Sequence, residues 1–350
     1  MIAKNAGEFS PEELIALTGV LKVCDMDAVV LGAHDKRALI DSEVVGESVF
    51  CHIETSFSFR GRFIIPADWS LFGCLLRGNK PVSCYGVPIS SDVAFTTNSG
   101  GTSEFVFDAK SRAFIVLVPK QRLRHIFSRI VHPDMDIHAR LSTMFKLSGS
   151  QLGNTLLADF ERIHWHLRQR SHQNAPSSPM EKELDGLLEN HLLAGLGAKS
   201  DDRVHCSRGR RSHWQIVQRA EYYMRENMRR VIHLDELCRA ACVSERALRY
   251  AFDDLLGLSP NRYLSMLRLC RAFRALVAAE AGRRTVKSIA LSCGLWDLSR
   301  FADHYRHTFG ELPSDTLMRV PPVEIATPPN HASSVATLNQ VGFLRRSEAA

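Results

Sequence analysis

Arg246, Arg249 and Tyr250 fall within little more than one helical turn of each other. Their chemistry suits recognition of base edges, since a guanidinium presents two parallel donors that match guanine O6 and N7. Leu298, Ser299, Ala302 and Asp303 occupy the corresponding positions of a second, similar stretch. Leu298 and Ala302 are suited to a thymine methyl, Ser299 to a polar contact and Asp303 to cytosine N4. Around them Lys287, Arg300, Arg306 and Thr285 are the types that hold phosphate oxygens.

Catalytic chemistry is not expected, and no residue is assigned a catalytic role. The chain contains no GxxxxGK[ST] word, its Gly86-Val87-Pro88 offers no phosphate-binding glycine run, and no serine lies in an elbow motif. His52 is the only histidine between His34 and His125, so the strands cannot supply a metal triad of their own. His164 and His166 flank Trp165, and at i, i+2 they point to different sides of a helix. No metal and no cofactor are expected, and the chain is read as a non-enzyme.

The elements that carry the two clusters are copies of one unit. Ser244 to Phe252, followed by Gly257-Leu-Ser-Pro260, matches Asp297 to Tyr305, followed by Gly310-Glu-Leu-Pro313, at one constant offset. Ser244 and Asp297 are N-cap residues, and the pairs Leu248/Phe252 and Phe301/Tyr305 turn one helical face inward. A shorter helix precedes each cap, Leu234 to Ala240 and Val286 to Ser292. Two short helices joined by a tight turn have the geometry that lays the second helix in a DNA major groove. Trp296, in the second turn, is expected in the core.

The words Ile289-Ala290, Gly294-Leu295, Ser299, Phe301, Tyr305, Phe309-Gly310 and Pro313-Ser314 resemble the second unit of AraC/XylS-type transcriptional regulators. The resemblance covers about residues 212 to 319, and Gly294 to Ala302 is similar to the branch that includes the ethanolamine-operon regulator. It implies a double helix-turn-helix domain with Arg246, Arg249 and Tyr250 facing bases. It also implies an N-terminal β-barrel that senses a small-molecule effector, helices after the barrel that form a homodimer, and RNA polymerase as a partner if the protein activates.

Composition agrees with a soluble, non-membrane chain: 45% hydrophobic and 23% charged over 350 residues, with no apolar run of membrane-spanning length. A cytoplasmic location is expected. The nine cysteines are scattered without a CxxC pair. The net charge of +6 is concentrated at the C-terminal side, where residues 203 to 319 hold about 21 Lys and Arg against about 12 Asp and Glu, as phosphate neutralisation requires.

The expected architecture is α+β: a cupin-like β-barrel with trailing helices, then an all-α DNA-binding domain with two helix-turn-helix units. Residues 1 to 196 form the sensing and dimerisation part, with a short helix over Pro11 to Leu21, a barrel over about 27 to 118 and helices over about 120 to 196. Strand candidates are Ala28 to Gly32, Glu47 to Ser58, Gly61 to Ile65, Ser70 to Arg77, Val82 to Val87, Val93 to Thr97, Glu104 to Asp108 and Ala113 to Val118. Helices are expected at Lys120 to Ile130, Ile137 to Leu147, Gln151 to Gln169 and Pro179 to Gly195. Residues 197 to 212 read as a linker, Ser212 as the cap of a helix from His213 to Asn227, Ser259-Pro260 as the start of a connector ending at Gly282, and 320 to 350 as a disordered tail.

His52, Arg60, Phe63, Trp69, Phe72 and Tyr85 are candidates for an effector pocket in the barrel. Plain core packing for the aromatics is the alternative. Two other functions stay open: a regulator controlled by a partner protein without a ligand, and an enzyme with an appended DNA-binding domain.

Overall fold

The computed structural model describes residues 6–9, 24–32, 38–77, 82–91, 93–97, 102–130, 144–147, 151–170, 178–279 and 283–319. The expected Pro11 to Leu21 helix, the Gly282 stop and the tail beyond 320 lie outside these residues.

Among the described residues twelve strands form two antiparallel sheets. They are β1 (Ala6–Phe9), β2 (Asp25–Gly32), β3 (Ala38–Val45), β4 (Ser48–Thr55), β5 (Ser58–Ile64), β6 (Trp69–Arg77), β7 (Val82–Cys84), β8 (Val87–Ile89), β9 (Val93–Thr97), β10 (Thr102–Phe107), β11 (Ser111–Pro119) and β12 (Met144–Lys146). The larger sheet runs β1-β3-β4-β11-β6-β9-β12 and the smaller β2-β5-β10-β7-β8. Phe59, Phe63, Phe105 and Phe107 of the smaller sheet meet Ile53, Leu71 and Ile115 of the larger in the core.

The larger sheet is apolar on both faces, and the two-residue period of its strands shows why. Along β11, Ala113, Ile115 and Leu117 point into the barrel, whereas Phe114, Val116 and Val118 point outward. Strands β4 and β6 alternate in the same way, with Phe50 and Phe72 outward. Three helices cover that outer face: α1 (Lys120–Ile130), α2 (Gln151–Arg170) and α3 (Ser178–Gly197). Their stripes Leu123/Ile126/Phe127, Leu156/Phe160/Ile163/Leu167 and Leu184/Leu187/Leu188/Leu192 supply the covering layer.

Three expectations are corrected here. Residues 47 to 58 are not one strand: β4 ends at Thr55, the chain bends at Ser56-Phe57, where Thr55 Oγ1 accepts from the Phe57 N–H at 3.2 Å, and β5 begins at Ser58; a separate β3 precedes β4 across a turn at Gly46, with φ of +60°. Met144–Lys146 is a strand paired with β9, not the end of a helix from Ile137. The helix before the first unit starts at Arg208, because Ser207, not Ser212, accepts from the Arg210 N–H at 3.3 Å.

That helix, α4 (Arg208–Glu226), opens an all-α domain of α5 (Leu234–Ala241), α6 (Glu245–Leu256), α7 (Pro260–Val277), α8 (Val286–Ser292), α9 (Leu298–Phe309) and α10 (Pro313–Met318). Pro260 stands in the first turn of α7, and Ser259 caps it by accepting from the Arg262 N–H at 3.3 Å. The turn after α8 requires glycine: Gly294 has φ of +77°, and a Cβ there would stand 2.1 Å from the Met228 carbonyl oxygen.

Candidate nucleic-acid interface

The first reading helix, α6, is positioned by its cap and by its buried stripe. Ser244 Oγ accepts from the Ala247 N–H at 3.3 Å, and Gly257 ends the helix in the left-handed region. Leu248, Ala251, Phe252 and Leu255 are buried. Glu245, Arg246, Arg249, Tyr250 and Asp253 are left exposed and, with Ser259, line an open groove of about 630 Å³. Arg249 is held by Glu245 at 2.7 Å for Nη2 and 2.8 Å for Nε. Both partners are exposed, so a base edge can replace the carboxylate at small cost. Tyr250 is 63% exposed and meets the His213 ring edge-on, with centroids 5.1 Å apart.

The second reading helix, α9, is built the same way but presents less charge. Asp297 Oδ1 accepts from the Arg300 N–H at 3.0 Å, and Phe301, Tyr305, Thr308 and Phe309 are buried. The Tyr305 hydroxyl and Thr316 Oγ1, 2.7 Å apart, tie α9 to α10. Ser299, Arg300, Asp303 and Arg306 are exposed, whereas Leu298 and Ala302 are half-buried. Thr285 caps α8 by accepting from the Ser288 N–H at 3.1 Å, and Lys287 beside it is exposed. Trp296 is not in the core. It is 56% exposed in the turn that leads into α9, because Leu295 takes the apolar position beneath the turn.

A second cluster, which sequence reading missed, joins this domain to the smaller sheet. Arg60 on β5 is buried and pairs with Glu104 on β10 at 2.9 Å and with Glu221 on α4. It also donates to the Tyr263 hydroxyl of α7 at 3.2 Å. Arg225 of α4 pairs with Glu221 at 2.7 Å and with Asp27 on β2 at 2.8 Å, and Arg274 of α7 reaches Asp27 at 2.5 Å. Gln218 of α4 donates to Glu104. Burial pushes the Glu221 carboxyl up, but Arg60, Arg225 and Arg62 outweigh it and hold its pKa at about 2. The charges come from five elements scattered along the chain, so no local spacing announces them.

The six residues considered for an effector pocket are dispersed. Phe63 lies in the core between the sheets, Trp69 is half-buried beside it, and His52 and Phe72 are buried on β4 and β6. Arg60 and Tyr85 border a cleft between the domains together with Trp214, whose ring meets Tyr85 edge-on at 5.9 Å. That cleft holds about 10 Å³, room for one water. The structure also draws Asp41 of β3, His52 of β4 and His164 of α2 into one buried group. His166 points elsewhere, to Glu183 at 3.0 Å.

Two capped, exposed helices, each the second of a tight helical pair, define a domain of two helix-turn-helix units. Residues 237–319 match the helix-turn-helix domain family. Over 140 residues the chain is 34% identical to XylDLEGF operon transcriptional activator 1 of Pseudomonas putida, a stretch covering 40% of this chain and 41% of that protein. It is 31% identical over 132 residues to the probable thc operon regulatory protein of Rhodococcus erythropolis, covering 37% of this chain and 40% of that one. A solved probable AraC family transcriptional regulator from Rhodopseudomonas palustris is 37% identical over 31% of this chain and 98% of its own, with a TM-score of 0.28. The chain thus spans about two fifths of the length of the curated relatives it matches. The C-terminal domain is a helix-turn-helix domain similar in sequence to those of operon transcriptional activators. Among the described residues no helix is long and apolar enough to cross a membrane.

Proposed function

We propose that the protein is a transcription regulator that binds duplex DNA through two helix-turn-helix units, with Arg246, Arg249 and Tyr250 as the principal base-facing residues. The observation that carries this reading is the exposed, arginine-bearing N-terminal half of α6, fixed by the Ser244 cap. Leu298, Ser299, Ala302 and Asp303 of α9 face bases with less discrimination, and Thr285, Lys287, Arg300 and Arg306 hold phosphates. The similarity of Gly294 to Ala302 to the ethanolamine-operon branch concerns DNA reading alone and transfers no ligand.

A small-molecule effector acting on the N-terminal domain is part of the proposal, as are a homodimer formed through α2 and α3, a cytoplasmic location and, by analogy with the activators it resembles, contact with RNA polymerase. The buried ion pairs between the smaller sheet and α4/α7 supply the coupling. An effector that favours one arrangement of that layer shifts the DNA-competent fraction by its differential affinity. An enzymatic role has no nucleophile or acid–base pair at the site to support it.

The test is genomic footprinting with the full chain, followed by titration of a recovered site. Paired half-sites about one helical turn apart, bound at least 1,000-fold more tightly than random duplex, are expected. Equal affinity for both duplexes sinks the reading.

A further inference from the structure

Beneath α2, on the outer face of the larger sheet, three side chains converge that no DNA-binding role employs. Asp41 lies on β3, His52 is its cross-strand neighbour on β4, and His164 comes down from α2. They are 8%, 2% and 7% exposed, so each is more than nine-tenths buried. His52 Nδ1 and His164 Nε2 each stand 3.7 Å from Asp41 Oδ2, and the imidazole centroids are 4.1 Å apart. That spacing is too long for a hydrogen bond. Both carboxylate oxygens and both of these ring nitrogens are buried without a hydrogen-bond partner. Unsatisfied polar atoms in such a place are costly, and here four of them face one another.

We propose that Asp41, His52 and His164 form a binding site for a divalent transition-metal ion of the zinc class, set between the sheet and the helical layer. Two ligands at zinc bond lengths of about 2.0–2.1 Å stand about 3.3 Å apart at the tetrahedral angle; the two nitrogen–oxygen separations of 3.7 Å lie a few tenths of an ångström beyond that, and the three ligand atoms all lie within 4.8 Å of one another. Two imidazoles and one carboxylate are a donor set for zinc or iron(II), too rich in nitrogen for calcium or magnesium.

One neighbour must give way. Arg112 Nε donates to His52 Nε2 at 3.0 Å, so the neutral ring carries its proton on Nδ1. On loading that proton moves to Nε2, and Arg112, half-exposed and resting over the Phe114 ring at 5.7 Å, turns toward solvent. The ion would then join β3, β4 and α2, fixing the helix whose outer side carries the 59% exposed Trp165.

The experiment uses the full chain stripped with a chelator and titrated with Co²⁺, with Zn²⁺ as competitor. Wild type is expected to take up one equivalent with a visible d–d spectrum and no thiolate charge-transfer band, and its melting midpoint should rise on loading. His52→Gln and His164→Gln should each weaken binding more than about tenfold, whereas His166→Gln should not. If a glutamine variant fails to fold, wild-type stoichiometry and spectrum still decide. A wild type that binds no metal overturns the proposal, as does a thiolate band, which would place the ion on cysteine. Binding as tight as wild type by the folded His52→Gln and His164→Gln variants overturns it as well.

Discussion

At the residue scale, charge and burial divide the polar side chains into exchangeable and fixed ones. Arg249 belongs to the first kind, since its partner Glu245 is 58% exposed. Arg249→Ala is expected to cost about 1–3 kcal/mol of site-specific affinity and to relax preference at one base pair. A loss of equal size on random duplex in the same titration would make it a phosphate contact instead. His191 belongs to the second kind. It is 1% exposed, edge-on to Phe72 and Phe145, with its Nε2 3.0 Å from Thr96 Oγ1, and burial holds its pKa at about 3. The unfolded chain takes up the proton below about pH 6.5 while the folded chain refuses it until about pH 3. The stability linked to His191 is therefore complete above 6.5 and is lost as pH falls between those values. The unfolding free energy from urea titrations should fall by up to about 1.4 kcal/mol per pH unit in this window, and His191→Gln should flatten the fall.

At the element scale, the interdomain layer rests on α4 and α7. Removing one partner strands a buried charge, so Glu221→Ala is expected to cost about 3–5 kcal/mol in thermal or urea unfolding. The double variant Arg60→Met, Glu221→Leu should recover much of that loss, because well-packed apolar groups replace buried pairs with little penalty. If the double variant is as unstable as the single, the energetics lie in packing and not in the pair. Elements were legible in the sequence where one local rule governed them. The caps Ser244, Asp297 and Ser259, the apolar stripe of α2 and the Gly257 and Gly310 stops are such cases. Strand β3 escaped because Asp41-Ser42-Glu43 interrupts its apolar pattern, although all three lie within paired backbone. The exposed arginine face at α6 was readable from spacing alone, but the Asp41/His52/His164 group was not, since its members meet only when α2 folds across the sheet.

At the scale of the whole molecule, the helical layer has one face on the sheet and another open. Leu152, Trp165 and Leu193 are 43%, 59% and 41% exposed on α2 and α3. Sedimentation at micromolar concentration should show a dimer, and Trp165→Glu should shift it toward monomer; a wild type that is strictly monomeric rules out this face. The layer joining the two domains bears on a different property, sensitivity to ions in solution. Its central charges, Arg60 and Glu221, are 3% and 2% exposed, so counterions barely reach them, whereas contacts to phosphate weaken steeply with salt. Under the proposed function, ionic strength is expected to loosen the grip on DNA while leaving the joint between the domains closed. In a salt titration, the slope of log affinity against log concentration should count released counterions alone, and the unfolding midpoint of the free protein should hardly move.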